Sequence, residues 1–490
     1  MNRRIFSYTQ LGLALLAGLA LRLYFIAHFP FYAGDTKFYE ELARNWLDHG
    51  VYGLFVMGQL VSVDMRTPGY PGFLAAIYFL LGRGSPAVVL VQAFLDLGTC
   101  VLTALIAARL APVSRRTAVA TVALWMATLC PFTANYTAVV LSETLAIFLT
   151  ALALLVFVYL FSDPAMDLPT AHSAARGTVL RFAAWFLLAG FIVGLGTLVR
   201  PEAPLVLAAA GLALCVRWRR RGNWPKLILA GSWMCVGLLF ALLPWAARNA
   251  RILGRIEFLG PRYAQSYGDF IPRGFFAWTQ TWMTRFSEAY VVNWKLGKEP
   301  LRADAFPASA FDSDAERAGI AVLLAQYNGN LRMTPALDDQ FAILARERTA
   351  RHPWRTYVSI PAERILAMWF TPHIELLPYS GDLWPPAEKW RENRTDFGVT
   401  LGFGILGIVY AGLALCGLWR WRGGTAGAFL ILFAAIRTVV MTQLQTVEPR
   451  YVIECFPVVL AFGALAWAIP RREEAMEHDA LRALPDGVSE

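Results

Sequence analysis

Residues 32–45 read Tyr32-Ala33-Gly34-Asp35-Thr36-Lys37-Phe38-Tyr39-Glu40-Glu41-Leu42-Ala43-Arg44-Asn45, and they follow directly on an apolar run over residues 8–29. That run is long enough to cross a hydrocarbon core about 30 Å thick. The charged stretch after it has therefore surfaced, and Asp35 marks the water–membrane boundary on the side opposite the N-terminus. A carboxylate costs far less there than at the bilayer centre. Arg3 and Arg4 precede the run. The run is nevertheless too long for a cleavable signal, and no small-residue cleavage site stands before the acidic segment.

The remainder of the chain repeats this pattern. Of 490 residues, 57% are hydrophobic and 16% charged, against about 25% charged in soluble domains. Backbone groups in lipid must be paired within their own segment, so the apolar runs are helices. The predicted spans are 8–29, 84–110, 117–134, 142–162, 180–199, 203–216, 225–246, 399–418, 424–443 and 451–469. The expected fold is an all-α polytopic membrane protein with about ten transmembrane helices and interfacial helices on its outer side.

A net charge of +9 is not read here as a nucleic-acid signature. The arginines cluster between spans, at Arg3-Arg4, Arg115-Arg116, Arg217 to Arg221, Arg420 with Arg422, and Arg471-Arg472. With ten crossings every cluster falls on one side, the cytoplasmic one by the positive-inside rule. Asp35, Arg66, Glu143, Arg200, Glu202, Glu448 and Arg450 then fall on the other. The expected organisation is a membrane core over 1–246 with a first outer loop at 30–83, a long outer loop at 247–398, C-terminal spans within 399–470, and a cytoplasmic tail at 471–490.

In the first outer loop, residues 35–49 read as a short amphipathic helix burying Phe38, Leu42, Trp46 and Leu47, stopped at His49-Gly50. Arg66-Thr67-Pro68-Gly69-Tyr70-Pro71-Gly72 reads as a turn, and 73–82 as a helix along the interface. In the long loop, Ser313 with Glu316 forms a capping box, and a second helix starts at Thr334-Pro335. Residues 353–370 are aromatic and basic, as for a segment on lipid headgroups. The loop as a whole is expected to drape helices over the membrane core. The six cysteines lie in or beside apolar spans and read as small packing residues. His373 reads as a surface histidine. No ligand spacing calls for a metal or another cofactor; a divalent ion near Asp35 and Glu143 is compatible with the carboxylates but not required by them.

The polar groups of the outer rim form the candidate site. A carboxylate can serve as general base towards a hydroxyl, and arginines hold a phosphate through bidentate charge-assisted bonds. Helix-end anchoring accounts well for Glu143 and Glu448, less well for Arg200, because outer loops are poor in arginine. Taken together the groups suit a phosphate whose hydrophobic tail stays in the bilayer. Asp96, with Gln92 one turn before it, and Arg437 lie inside spans and read as interhelical hydrogen-bonding groups.

At this point the chain resembles the membrane glycosyltransferases of the C-type fold. It is most similar to the branch of the dolichyl-phosphate-mannose–protein mannosyltransferases and the lipid A aminoarabinose transferases. The resemblance rests on Gly34-Asp35-Thr36 with Tyr39 and Leu42-Ala43-Arg44-Asn45; Arg66-Thr67-Pro68-Gly69-Tyr70-Pro71; Leu141-Ser142-Glu143-Thr144-Leu145; Arg200-Pro201-Glu202; Pro244-Trp245 with Arg248-Asn249; and Pro449-Arg450-Tyr451 with Pro457. These occur in family order over nearly the whole chain.

The resemblance implies a polyprenyl-phosphate sugar donor, an acceptor that is a lipid, glycan or protein, and Asp35 as catalytic base. It implies Arg66 as a contact of the lipid phosphate and Arg200 as a phosphate or donor contact. Where many relatives carry a second acid after the first, this chain has Thr36; Glu143 is the chosen second carboxylate and Glu202 the reserve. Lys37, Arg450 and Tyr451 complete the expected substrate contacts. The implied location is the bacterial inner membrane, with the site facing the periplasm. The rival readings are a transporter or flippase of a polyprenyl-linked glycan and a non-catalytic subunit of the same fold. A transporter would hold its ionisable groups near mid-membrane; an intact Asp35 argues against a degraded site.

Overall fold

The computed structural model describes residues 8–163, 176–219, 223–260 and 270–468. Arg3-Arg4, Arg220-Arg221 and the expected tail at 471–490 lie outside the described residues. The chain enters through α1 (Tyr8–His28), surfaces into α2 (Gly34–His49) and turns at Gly50, whose φ of 65° suits a residue without a Cβ. A hairpin follows, with β1 (Gly53–Val56) antiparallel to β2 (Gln59–Ser62). Then come α3 (Gly69–Leu81), α4 (Ser85–Leu110), α5 (Arg116–Thr128), α6 (Pro131–Ala134), α7 (Glu143–Ser162), α8 (Arg176–Val199), α9 (Leu205–Arg219) and α10 (Trp224–Leu253). The long outer segment carries α11 (Arg273–Gln280), α12 (Phe286–Val291), α13 (Asp314–Asn328), α14 (Pro335–Arg351), α15 (Ile360–Trp369) and α16 (Pro386–Glu392). The chain returns through α17 (Arg394–Arg420), α18 (Thr425–Met441) and α19 (Phe456–Leu465).

Among the described residues, α1, α4, α7, α8, α10 and α17 are long and apolar enough to cross a membrane, and the α5–α6 pair, bent by 47°, makes a seventh candidate. The chain is an integral membrane protein. The helices α9 and α18 are apolar but shorter, and the last predicted span opens as a 3-10 turn, Pro449–Cys455, before α19. All ten predicted spans have helical counterparts, but these last three helices are shorter than a full crossing, and α19 is buried along almost its whole length. Close packing is set by small residues. A Cβ at Gly190 would lie 2.1 Å from Met234 O, and one at Gly237 2.1 Å from Leu187 O, so α8 and α10 are pressed backbone to backbone in the manner of membrane helices.

The structure corrects several local expectations. Helix α2 buries Thr36, Leu42, Ala43 and Asn45, whereas Trp46 is exposed; Asn45 donates to Gly53 O at 2.8 Å and so fixes the hairpin that the sequence reading missed. Gly69 to Gly72 begin α3 rather than forming a separate turn, and the absent Cβ of Gly69 lets the helix abut Leu198 O. The long outer segment is helical but not merely draped: it has its own core of Phe275, Trp278, Trp282, Tyr327 and Phe341. Ser313 and Thr334 cap α13 and α14, while the Glu316 side chain turns away from the cap to meet Arg348 and Arg351.

Within the aromatic–basic stretch, Arg364 is buried and donates to Met283 O, Thr442 O and Leu444 O. It joins the outer unit to the loop before Pro449. His373 is buried against Phe132 and Phe456, and burial pushes its pKa down to about 4. Of the six cysteines, Cys235 is exposed and does not pack.

Candidate active site

Asp35 sits in the first turn of α2, where the helix dipole favours a carboxylate. The turn is pinned to the entry of α7 by Thr36 Oγ1 donating to Val140 O at 3.0 Å. Arg66 lies between β2 and α3, and its carbonyl accepts from Tyr52 Oη at 2.9 Å. Its guanidinium donates to Asp35 Oδ1 at 2.9 Å. Arg450, in the 3-10 turn after the outer unit, lies 3.9 Å from Asp35 Oδ2, 3.3 Å from Glu143 Oε1 and 2.5 Å from Glu448 Oε2. Glu143 opens α7 and also faces Arg200, at 3.0 Å. Arg200, just past the end of α8, lies 3.5 Å from Glu454 and 3.9 Å from Glu202. Glu454 accepts from Arg437 at 2.6 Å and from Thr150 at 2.8 Å.

Four arginines (Arg66, Arg200, Arg437, Arg450) thus interleave with five carboxylates (Asp35, Glu143, Glu202, Glu448, Glu454), gathered from segments far apart in sequence. The network is graded. Asp35 is 32% exposed, Arg66 23% and Arg450 25%, while Glu143 and Glu454 are each 2% exposed and Arg437 1%. Charges near the surface are accessible, and those beneath hold them in place. Two buried acceptors of the network, Glu143 Oε2 and Glu202 Oε2, take no hydrogen bond.

Burial alone would raise the Asp35 pKa, but Arg66, Arg450 and Arg200 outweigh it and hold the carboxyl below its ordinary value. The guanidinium of Arg66 loses stability by burial and regains more from Asp35 and Tyr39, so its pKa is raised. At the edge of the network Glu375 accepts from Tyr136 Oη at 2.5 Å; burial pushes its pKa up against that bond.

The sequence-selected residues are thus only partly brought together. Asp35, Arg66, Arg450, Glu143 and Arg200 form one chain of contacts. Arg66 and Arg200 do not share a carboxylate; Arg450 bridges between their partners. Among the described residues, Glu202 touches the network through Arg200 alone. Tyr451 is buried, and its hydroxyl donates to Glu448 Oε1 at 3.0 Å, so it supports Glu448 rather than facing outward. Lys37 is exposed and joins none of these contacts.

Glu454 was overlooked, although an acid within an apolar run is a functional candidate by default. Asp96 pairs with Arg22, which the sequence reading did not single out, and Gln92 donates to Val139 O at 2.8 Å and accepts from Tyr70. Among the described residues no group of three or more His, Cys, Asp or Glu side chains is arranged to hold a metal ion.

No protein-family profile matches the chain, and no curated protein is similar to it in sequence. Among solved structures it is similar to the archaeal oligosaccharyltransferase AglB from Archaeoglobus fulgidus, solved with an inhibitory peptide and a dolichol-phosphate. The identity is 12% and the TM-score 0.49, over 98% of this chain and 52% of that one. It is also similar to ArnT from Cupriavidus metallidurans bound to undecaprenyl phosphate, at 13% identity and a TM-score of 0.37, over 93% of this chain and 77% of that one. The chain therefore spans about half the length of the archaeal protein.

Proposed function

We propose that the chain is a C-type-fold glycosyltransferase that moves a hexosyl or pentosyl unit from a polyprenyl-phosphate donor to an acceptor at the outer face of a bacterial inner membrane. The observation that carries this reading is the placement of Asp35, a part-exposed carboxylate flanked by the guanidinium groups of Arg66 and Arg450. The acceptor hydroxyl or amine attacks the anomeric carbon, the bond from that carbon to the phosphate oxygen breaks, and Asp35 takes the acceptor proton. The phosphate leaves already ionised, so no general acid is needed. Arg66 and Arg450 neutralise its charge as it departs, the kind of preorganised stabilisation that contributes most to such reactions.

Asp35 is tied to those arginines before the donor arrives. A bound phosphate competes for them and frees the carboxylate to accept a proton. Glu143 is the second carboxylate of this reading. It sets Arg450 and Arg200 from beneath, and its second oxygen is buried without a hydrogen-bond partner.

The decisive experiment is turnover by purified Asp35→Asn with polyprenyl-phosphate sugars. The amide keeps the shape and removes the proton acceptor, so the rate should fall by roughly 10²–10⁴-fold while donor binding persists. Retention of more than about a tenth of the wild-type rate would sink the assignment. Sidedness is read separately, in a background lacking Cys235. An impermeant thiol reagent should label Ala318→Cys in whole cells and leave Val113→Cys untouched; the reverse pattern would invert the orientation.

A further inference from the structure

A cavity of about 420 Å³ lies between the C-terminal ends of α4 and α7 and the start of α8. Because α7 begins, and α8 ends, at the charged network, this cavity is at the opposite end of both helices from Asp35. Arg109 lines it. That side chain is only part-exposed, and its guanidinium lies over the Tyr159 ring, 3.8 Å from the centroid. Among the described residues it has no carboxylate partner and its N–H groups donate to no acceptor. Arg181 enters from α8 and meets Asp163 at 3.3 Å, with most of its side chain exposed. Among the described lining residues, two cations stand against one acid. A stacked guanidinium with unused donors is half of an anion site, since the fork that would grip a phosphate is already oriented.

The walls select the kind of anion. Trp185 lines the cavity with an amphipathic ring of the type that settles at headgroup depth. Three residues further along α8, Leu188 is 41% exposed, an apolar continuation of the wall that a soluble phosphate would leave uncovered. We infer that this cavity binds the headgroup phosphate of an anionic phospholipid from the leaflet opposite Asp35, with Arg109 and Arg181 on the phosphate and an acyl chain along Trp185 and Leu188. Basic pockets between helix ends on the cytoplasmic side suit such headgroups. The lipid would tie α4, α7 and α8 together at the end remote from the charged network.

The test uses the full chain in detergent, with phosphatidylglycerol, phosphatidylcholine or inorganic phosphate added. The thermal midpoint and the lipid retained in native mass spectrometry are the readouts. Phosphatidylglycerol should raise the midpoint and stay bound. Arg109→Met, which keeps bulk on Tyr159, and Arg181→Ala, at a largely exposed position, should each weaken the apparent lipid affinity roughly tenfold, and together abolish the shift. Turnover at the Asp35 site should be unchanged in both variants. An equal response to phosphatidylcholine, or a full response in the double variant, would overturn the inference. So would an inorganic phosphate effect that matches the lipid's, because it would assign the cavity to a soluble anion.

Discussion

Two acid–arginine pairs drawn from the N-terminal part of the chain have the same chemistry and differ in almost everything else. Arg22 and Asp96 meet within the membrane core, 0% and 1% exposed, and the guanidinium is fully engaged by Asp96, Gly18 O, Thr128 O and Cys100. Asp35 and Arg66 meet at one end of the helix bundle, 32% and 23% exposed, with Arg450 near enough to take over the carboxylate. The first pair is closed: nothing is left over for a ligand. The second is part of a network whose surface charges can exchange partners while Glu143, Glu454 and Arg437 hold them from below. Charge alone does not mark a functional group in a membrane protein; charge with spare bonding capacity and access does.

If that distinction is sound, the largest effect on folding belongs to the closed pair. Asp96→Ala leaves Arg22 charged and buried, and should cost about 3–5 kcal/mol of stability. Replacing both, as Arg22→Met with Asp96→Leu, should recover most of the loss because no orphan charge remains. Denaturation of the purified variants reads this directly. An Asp96→Ala protein that kept its stability but lost turnover would break the comparison by moving that pair into the functional machinery.

The open network should respond in the opposite way. Arg66→Ala should weaken polyprenyl-phosphate binding by roughly 10- to 100-fold with a small change in stability, whereas Arg450→Ala, which uncovers Glu143 and Glu448, should weaken binding as much and lower stability too. Lysine should rescue only partly, since it keeps the charge and loses the planar fork. Arg200 sharpens the test. It faces Glu143, Glu202 and Glu454 at once, so Arg200→Ala should lower thermal stability as well as affinity. Unchanged binding in Arg66→Ala would assign Arg66 to the headgroup layer instead.

The pH dependence follows from the same arginines. Asp35 has a depressed pKa in the donor-free protein. A depressed carboxylate gives its stabilisation above the unfolded value and loses it as pH falls through the folded one, so its loss should come only below the ordinary carboxylate range of about 3.9. The acid limb of kcat/KM, which reports the free enzyme, should therefore lie low, and that of kcat higher, because bound phosphate draws the arginines away. Arg66→Ala should move the kcat/KM limb upward. A limb that stayed put would mean that Asp35 is not the titrating base.

How much of this was legible in the sequence depends on how local the cause was. Apolar length located α1, α4, α7, α8, α10 and α17, and the caps at Ser313 and Thr334 were visible because a capping bond spans only three residues. The hairpin at 53–62 was not, since its four-residue strands carry too little alternation and depend on Asn45 for support. Asp35 and Glu143 stood out as charges at helix ends, and Arg66 as the charge that leads a turn. Their connection through Arg450 was hidden, because Arg450 reaches Glu143 across 307 residues of chain. His373 was misread for the same reason: its cover, Phe132 and Phe456, comes from distant helices.

The smallest expected effect is at Lys37, two residues from the proposed base. It is exposed and outside every contact of the network, whereas Thr36, its neighbour, is buried and bonded to Val140 O. Proximity in sequence does not bring it to the site, because successive residues of a helix point about 100° apart. Lys37→Ala should change stability by no more than about 0.5 kcal/mol, the usual range for surface positions. Donor affinity should change by less than about threefold, far below the effect at Arg66. Binding measured at two ionic strengths makes the result decisive. A loss at low salt that vanishes at high salt is long-range attraction of the donor phosphate, screened over about 10 Å at 0.1 M. A tenfold loss that persists at high salt would mean that Lys37 touches the phosphate and that the open network extends one turn further along α2 than its contacts show.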